Sequence, residues 1–171
     1  TQTASGATNV EFKTGIDSTY DVYIFKWYDI DTSVDGAMFQ FNGSTDGGAS
    51  YAVVKTTTWW YASNTQGGSN NLTYGTAVDL AQSTAYQTIS YNVGNGATQS
   101  ASGELHFFNP ASTTFVKHFN ARSMVYAENE AANDQYPAGY FNTTSAINAI
   151  DFKTNSGTFS GTIALFGISK T

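Results

Sequence analysis

Apolar and polar residues alternate along most of this chain in short runs, and clusters of glycine, serine and asparagine separate the runs. A period of two places successive side chains on opposite faces, which is typical of β-strands. We predict about ten strands from this pattern. The runs are residues 9–12, 20–30, 37–41, 51–55, 56–63, 86–93, 103–108, 115–121, 124–127, 147–153 and 160–168.

The run at residues 160–168 is apolar on both of its sides. Ile163 and Leu165 share one side, and Ala164, Phe166 and Ile168 share the other. A strand of this kind does not face water on both sides, so we expect it in the middle of the fold, covered on at least one side by a second layer.

Turn-forming residues predict how neighbouring runs connect. Residues 42–48 (NGSTDGG) are rich in positions that tolerate positive φ, so we predict that they join 37–41 and 51–55 as a hairpin. Residues 64–71 are expected to form an exposed loop. Residues 128–136 (ENEAANDQY) show no alternation and predict a loop or a single helical turn.

These patterns predict an all-β fold made of two packed antiparallel sheets, a β-sandwich in jelly-roll order. No repeat of solenoid length and no linker interrupts the pattern, so residues 9–171 are predicted to form one domain. Residues 1–8 are small and polar, and we expect an N-terminal arm that is ordered only when a partner holds it.

Composition excludes several classes of partner. The chain has 13 acidic and 7 basic residues and a formal charge of −6, without the basic stripe of a nucleic-acid binder. No apolar run reaches about 18 residues, so we expect no membrane span. Cysteine is absent, which excludes disulfides, thiol catalysis and thiolate metal sites.

Candidate catalytic and metal-binding groups are few. His106 and His118 are the only histidines, and a zinc site needs three or four ligands, so we predict structural or surface roles for both. Glu128, Glu130 and Asp134 resemble a glycosidase acid cluster only in composition, and solvated loop acids are the simpler interpretation. We therefore predict no catalytic residue, no metal and no cofactor.

A second acidic segment has spacing loosely like the first half of a calcium loop. It contains Asp29, Asp31 and Asp35, but Val34 stands at the required glycine position and Gln40 at the required glutamate position. Carboxylates that cap a turn explain this segment better.

Three consecutive aromatic residues, Trp59, Trp60 and Tyr61, are the candidate ligand-binding group. Exposed aromatic rings offer flat apolar surfaces on which sugar rings stack. Because side chains alternate along a strand, we expect one of the two tryptophans to point into the core and the other to point outward.

Several segments together resemble a family of small bacteriophage virion proteins, often found in phages of marine bacteria as tail-fibre heads or capsid-surface proteins. The order and spacing of the segments carry the resemblance. The segments that resemble the family are YIFKW at 23–27 with DID at 29–31 and DG at 35–36, MFQF at 38–41, STDGGASY at 44–51, SGELHFFNP at 102–110 and SGTIALFGI at 160–168.

The resemblance implies a non-enzymatic β-sandwich on the virion exterior, a homo-oligomer that contacts other virion proteins of the capsid or tail and aids adhesion to a host-surface glycan. Heptads and collagen-like triplets are absent, which favours a surface knob or decoration protein over the tip of a long fibre. The arm at 1–8 would dock a neighbouring subunit. The alternative is a carbohydrate-binding module or lectin-like domain.

Overall fold

The computed structural model of the protein describes residues 1–169, which form twelve β-strands and no helix. Long strands alternate with turns that are rich in glycine, asparagine and serine, as the pattern predicts. The strands are β1 (Gln2–Ala7), β2 (Asn9–Phe12), β3 (Val22–Thr32), β4 (Ala37–Ser44), β5 (Lys55–Thr65), β6 (Asn70–Tyr74), β7 (Gln87–Val93), β8 (Ala101–Phe108), β9 (Lys117–Tyr126), β10 (Ala131–Phe141), β11 (Ala149–Thr154) and β12 (Phe159–Ile168).

Two antiparallel sheets make up the fold and confirm the predicted all-β sandwich. The large sheet has eight strands in the order β1-β12-β3-β8-β9-β10-β5-β6, and the small sheet has four in the order β2-β11-β4-β7. The chain passes from one sheet to the other at most connections, so most strands that are neighbours in a sheet are distant in sequence, apart from the consecutive pairs β5-β6, β8-β9 and β9-β10. This is the kind of connection that a jelly roll uses.

The core lies between the two sheets and is dominated by phenylalanine. The ring centroids of Phe25 and Phe152 lie 5.3 Å apart, and Phe39 stacks on Phe152 with centroids 5.8 Å apart. Phe41 meets Phe119 edge to face at 5.0 Å. Such aromatic pairs stabilise a fold by about 0.5–1.5 kcal/mol beyond the area they bury. This packing holds the two sheets together without disulfides.

The structure corrects the interpretation of residues 1–8 as a free arm. β1 is an edge strand of the large sheet and pairs antiparallel with β12, and the side chain of Ala4 is buried. Residues of low hydrophobicity can form such a strand because the hydrogen bonds to β12 need only a backbone.

The final strand is confirmed as a strand but lies second from the edge, between β1 and β3. Ile163 is buried against the core, whereas Phe166 and Ile168 are 47% and 48% exposed. Its inner side is therefore covered by the small sheet, as expected, and its outer side faces solvent near the end of the strand.

The predicted hairpin of residues 37–41 and 51–55 is wrong. β4 pairs with β7 and β11 in the small sheet, whereas β5 begins at Lys55 in the large sheet. The Asp46 carboxylate accepts hydrogen bonds from the backbone N–H groups of Ala49 (3.1 Å) and Ser50 (2.9 Å). This turn leads the chain across to the other sheet.

Residues 64–71, expected as a loop, include the paired ends of β5 and β6.

Residues 128–136 were also predicted incorrectly, because Ala131 already begins strand β10. The buried face of this strand begins with Ala131 and then carries two polar residues, Asn133 and Gln135. The Gln135 amide spans the sandwich, accepting a hydrogen bond from the Tyr91 N–H (2.7 Å) and donating one to the Tyr91 carbonyl (2.9 Å). A polar side chain thus replaces apolar packing here.

Candidate functional site

The outer face of the large sheet is the surface opposite the core, and its registers align side chains in rows across the strands. Paired positions place Lys26 beside Glu104, Glu104 beside Arg122, and Trp60 between Tyr136 and Tyr74. We call this set the charged-aromatic row. Its members, in sheet order from β3 to β6, are Lys26, Glu104, Arg122, Tyr136, Trp60 and Tyr74.

The aromatic half of the row contains one stacked pair of rings, Trp60 and Tyr136. The rings of Trp60 and Tyr136 are parallel within 7° and their centroids lie 4.1 Å apart. The Arg122 guanidinium lies over the Tyr136 ring, 5.4 Å from its centroid. Tyr74 donates its hydroxyl to Asp79 (2.9 Å), a hydrogen bond that raises the pKa of Tyr74. Stacking and hydrogen bonding therefore hold these large side chains upright on the sheet.

The charged half of the row is internally neutralised. Arg122 binds Asp134 through two hydrogen bonds of 2.9 and 2.8 Å, and this contact keeps the pKa of Asp134 below its usual range. Glu104 accepts a hydrogen bond from His106 (3.1 Å) and lies 3.3 Å from the Lys26 ammonium. These contacts, the histidine first, lower the pKa of Glu104. Each charged side chain of the row therefore has a partner of opposite sign.

Short side chains lie next to the charged-aromatic row, two residues along strands β9, β10 and β5, whereas the same position on β8 holds His106, which faces Asn120. Asn120 on β9 faces Ala138 on β10, and Ala138 faces Thr58 on β5. One row further along, His118 faces Tyr140, with ring centroids 6.2 Å apart. The short row therefore forms the floor of a trough between two taller walls.

Two adjoining cavities, of about 330 and 400 Å³, occupy this trough and share Asn120 and Ala138. The first is bounded by Trp60, Tyr136 and the charged side chains of the row. The second is bounded by the opposite wall. That wall is formed by Phe108, His118, Tyr140 and Thr56. We use "the trough" for this floor and its two walls.

The three predicted aromatic residues do not form one platform. Trp59 is 1% exposed in the core, whereas Trp60 is 39% exposed on the outer face, as alternation predicts. Tyr61 lies on the side of Trp59, with ring centroids 5.3 Å apart. The partner of Trp60 is instead Tyr136, which could not be recognised from the sequence because residues 128–136 show no alternation and predict a loop. Only the strand register could have revealed that pair.

The predicted acidic segments are dispersed in the structure. Asp134 lies on the outer face with Arg122, whereas Glu128 and Glu130 occupy the turn between β9 and β10. Asp29 adopts φ 53° at an irregularity of β3, and Asp35 accepts a hydrogen bond from the Asn95 N–H (3.1 Å). Within residues 1–169, no three His, Cys, Asp or Glu side chains are grouped so that they could hold a metal ion.

Two fully buried lysines were not anticipated from the sequence. Lys55 and Lys117 lie on either side of Phe141 in the register of β5, β10 and β9. The Lys55 ammonium donates to the carbonyls of Val53 (3.1 Å) and Ala85 (2.6 Å). Burial lowers the pKa of Lys55 to about 7 and also lowers that of Lys117.

Lys117, like Lys55, donates hydrogen bonds to backbone carbonyls of two loops. Its ammonium donates to the carbonyl of Phe115 (3.0 Å), two residues before it, and to that of Thr143 (3.2 Å). Each lysine therefore ties the segment before its own strand to a second, distant loop. These contacts make the two lysines structural anchors at one end of the sandwich.

Along residues 1–169, no helix has the length and apolar character that crossing a membrane would require. No protein-family model matches the chain, and neither a curated protein nor a solved structure shows significant similarity to it.

Proposed function

We propose that the protein is a non-enzymatic structural protein of a bacteriophage virion, located on the particle exterior as a capsid decoration, a knob or a fibre head. The proposal rests on the order of the resembling segments and on a fold suited to display. The observation that supports it best is the charged-aromatic row, which presents large ordered side chains to solvent across six strands. Such a surface suits adhesion.

Contacts with other virion proteins, or with further copies of this chain, are part of the same proposal. The end of β12 exposes Phe166 and Ile168 on the outer face. Their register partners on β3 are Ile24 and Val22, and Val22 in turn faces Phe108 on β8. An exposed apolar cluster of this kind is typical of a surface that a neighbouring subunit covers.

Mass spectrometry of purified particles of the phage that encodes the chain tests this function. We expect the protein at a fixed copy number per particle, and we expect antibodies against it to label intact particles. Its absence from gradient-purified particles, or its presence only after the particles are disrupted, would overturn the proposal.

A carbohydrate-binding module or lectin-like domain is the second candidate, and the trough on the outer face favours it. A free lectin would select particular sugars in solution and would be absent from purified particles. A glycan array therefore separates the two functions when it is combined with the particle analysis. The virion function does not require sugar selectivity, whereas the lectin function does.

A further inference from the structure

We propose that the trough is a binding site for an uncharged oligosaccharide chain that lies across strands β9, β10 and β5. This inference rests on the adhesion part of the proposed function and assigns it a site and a class of ligand. Three features of the trough lead to it: its shape, the chemistry of its walls and its balance of charge.

The shape fits a chain of sugar rings. Tyr136 and Tyr140 form opposite walls four residues apart on β10, a separation of roughly 13 Å between their backbones. The three strands β9, β10 and β5 give the floor a length of roughly 10 Å, and His106 on β8 bounds one end of it. Between the walls, the side chains of Asn120, Ala138 and Thr58 are short. The trough is therefore an elongated groove rather than a closed pocket.

The walls offer the two kinds of contact that a sugar ring needs. Tyr140 on one side presents aromatic surface to the C–H face of a ring, and the stacked pair of Trp60 and Tyr136 bounds the trough on the other side. The Asn120 side chain on the floor is exposed and makes no hydrogen bond to residues 1–169, so its amide can donate to and accept from hydroxyls.

Charge pairing on the wall argues for an uncharged ligand. Arg122 is held by Asp134 in a bidentate pair, and Glu104 contacts both Lys26 and His106. An anionic sugar would have to compete with Asp134 for the Arg122 guanidinium, because the carboxylate of Asp134 already neutralises that guanidinium. Hydroxyl groups can use the remaining donors and acceptors of both pairs without separating them.

The backbone beneath the trough makes an oligosaccharide a better occupant than a peptide. β9, β10 and β5 are interior strands with a neighbour on each side. A peptide that extends a sheet needs an unpaired strand edge, and these three strands provide none at the trough. Binding must therefore use side chains that stand on the sheet.

The test is an array of uncharged and anionic oligosaccharides probed with the full chain, followed by calorimetry with each bound sugar. Ala138→Phe fills the floor of the trough from an outward-facing position. Ala132→Phe is the matched control, because Ala132 faces outward on the same strand but lies outside the trough. Thermal unfolding of both variants verifies that each is folded.

We expect the array to show binding to uncharged chains, with affinity at least about tenfold lower in Ala138→Phe and within about twofold of the original in Ala132→Phe. Absence of sugar binding, a preference for anionic sugars, or binding that Ala138→Phe leaves unchanged would each overturn the inference. So would capture from a peptide library that Ala138→Phe abolishes. The test uses isolated protein, so a negative result leaves the virion proposal standing, and absence from particles leaves the sugar site standing.

Discussion

Trp60 on β5 and Tyr136 on β10 stack face to face, with ring centroids 4.1 Å apart and planes 7° from parallel. We expect a double-mutant cycle of Trp60→Ala and Tyr136→Ala to give a coupling of about 0.5–1.5 kcal/mol, measured by urea unfolding. The control cycle pairs Trp60 with Tyr74, which lies opposite it on β6 but directs its hydroxyl to Asp79. Equal coupling in both cycles would mean that the stack has no special energetic role.

Lys55 should make stability depend on pH in the alkaline range. Its pKa is about 7 in the folded protein against an ordinary value of 10.5, so the unfolded chain binds more protons between these values. The free energy of unfolding should therefore rise with pH across that window, with a slope of at most about 1.4 kcal/mol per pH unit from this residue. Denaturant unfolding at a series of pH values measures the slope.

Lys55→Met should remove this part of the slope, whatever its effect on absolute stability, because methionine carries no titratable group. Lys13→Met is the control, since the Lys13 side chain is half-exposed and pairs with Glu11 on the surface (2.9 Å). A slope that survives Lys55→Met unchanged would contradict the assignment to this residue.

Gly103 on β8 should not tolerate a side chain. A Cβ there would collide with the carbonyl oxygen of Arg122 and lie 2.6 Å from Cζ2 of Trp27 in the core. We expect Gly103→Ala to lower the free energy of unfolding by about 3 kcal/mol. Gly67→Ala is the control, because its Cβ would meet only Thr65 Oγ1, at 3.7 Å, and we expect a change within about 0.5 kcal/mol. Similar losses in both variants would contradict this prediction.

Deletion of residues 1–8 tests the edge strand. The deletion removes β1 from the side of β12 but takes only one buried apolar side chain, Ala4, out of the core. We expect the fold to persist with a stability lower by about 1–3 kcal/mol, measured by thermal unfolding, and with more aggregation because β12 becomes an exposed edge. We also expect loss of attachment to particles. A truncated chain that decorates particles at full occupancy would contradict that second expectation.

The architecture was predictable where the buried face of a strand is apolar, as in β3 with Tyr23, Phe25 and Trp27. It was not predictable for β10, whose buried Asn133 and Gln135 give no alternation of apolar and polar residues. Gln135 satisfies its polar atoms on the opposite sheet, a contact that becomes visible only after the chain is folded. The same strand contains Pro137, a residue that is uncommon in interior strands because it lacks an N–H donor.

The candidate site shows a similar limit. Alternation correctly separated Trp59 from Trp60, because that depends on local geometry alone. The trough depends on Ala138 and Tyr140 of β10 lying beside β5 and β9, and the register of β10 with β5 joins segments about 80 residues apart. The sequence pattern therefore identified one wall residue, Trp60. The other residues of the trough could be identified only from the folded structure.

The two buried lysines have a consequence for how this protein can diverge. The ammonium groups of Lys55 and Lys117 donate hydrogen bonds only to main-chain carbonyl oxygens, those of Val53, Ala85, Phe115 and Thr143. Every amino acid has a main-chain carbonyl oxygen. Substitutions in these loops can therefore change the side chains and still keep the hydrogen bonds to the two lysines. The loops at one end of the sandwich can therefore change in sequence during evolution while their backbone positions stay the same.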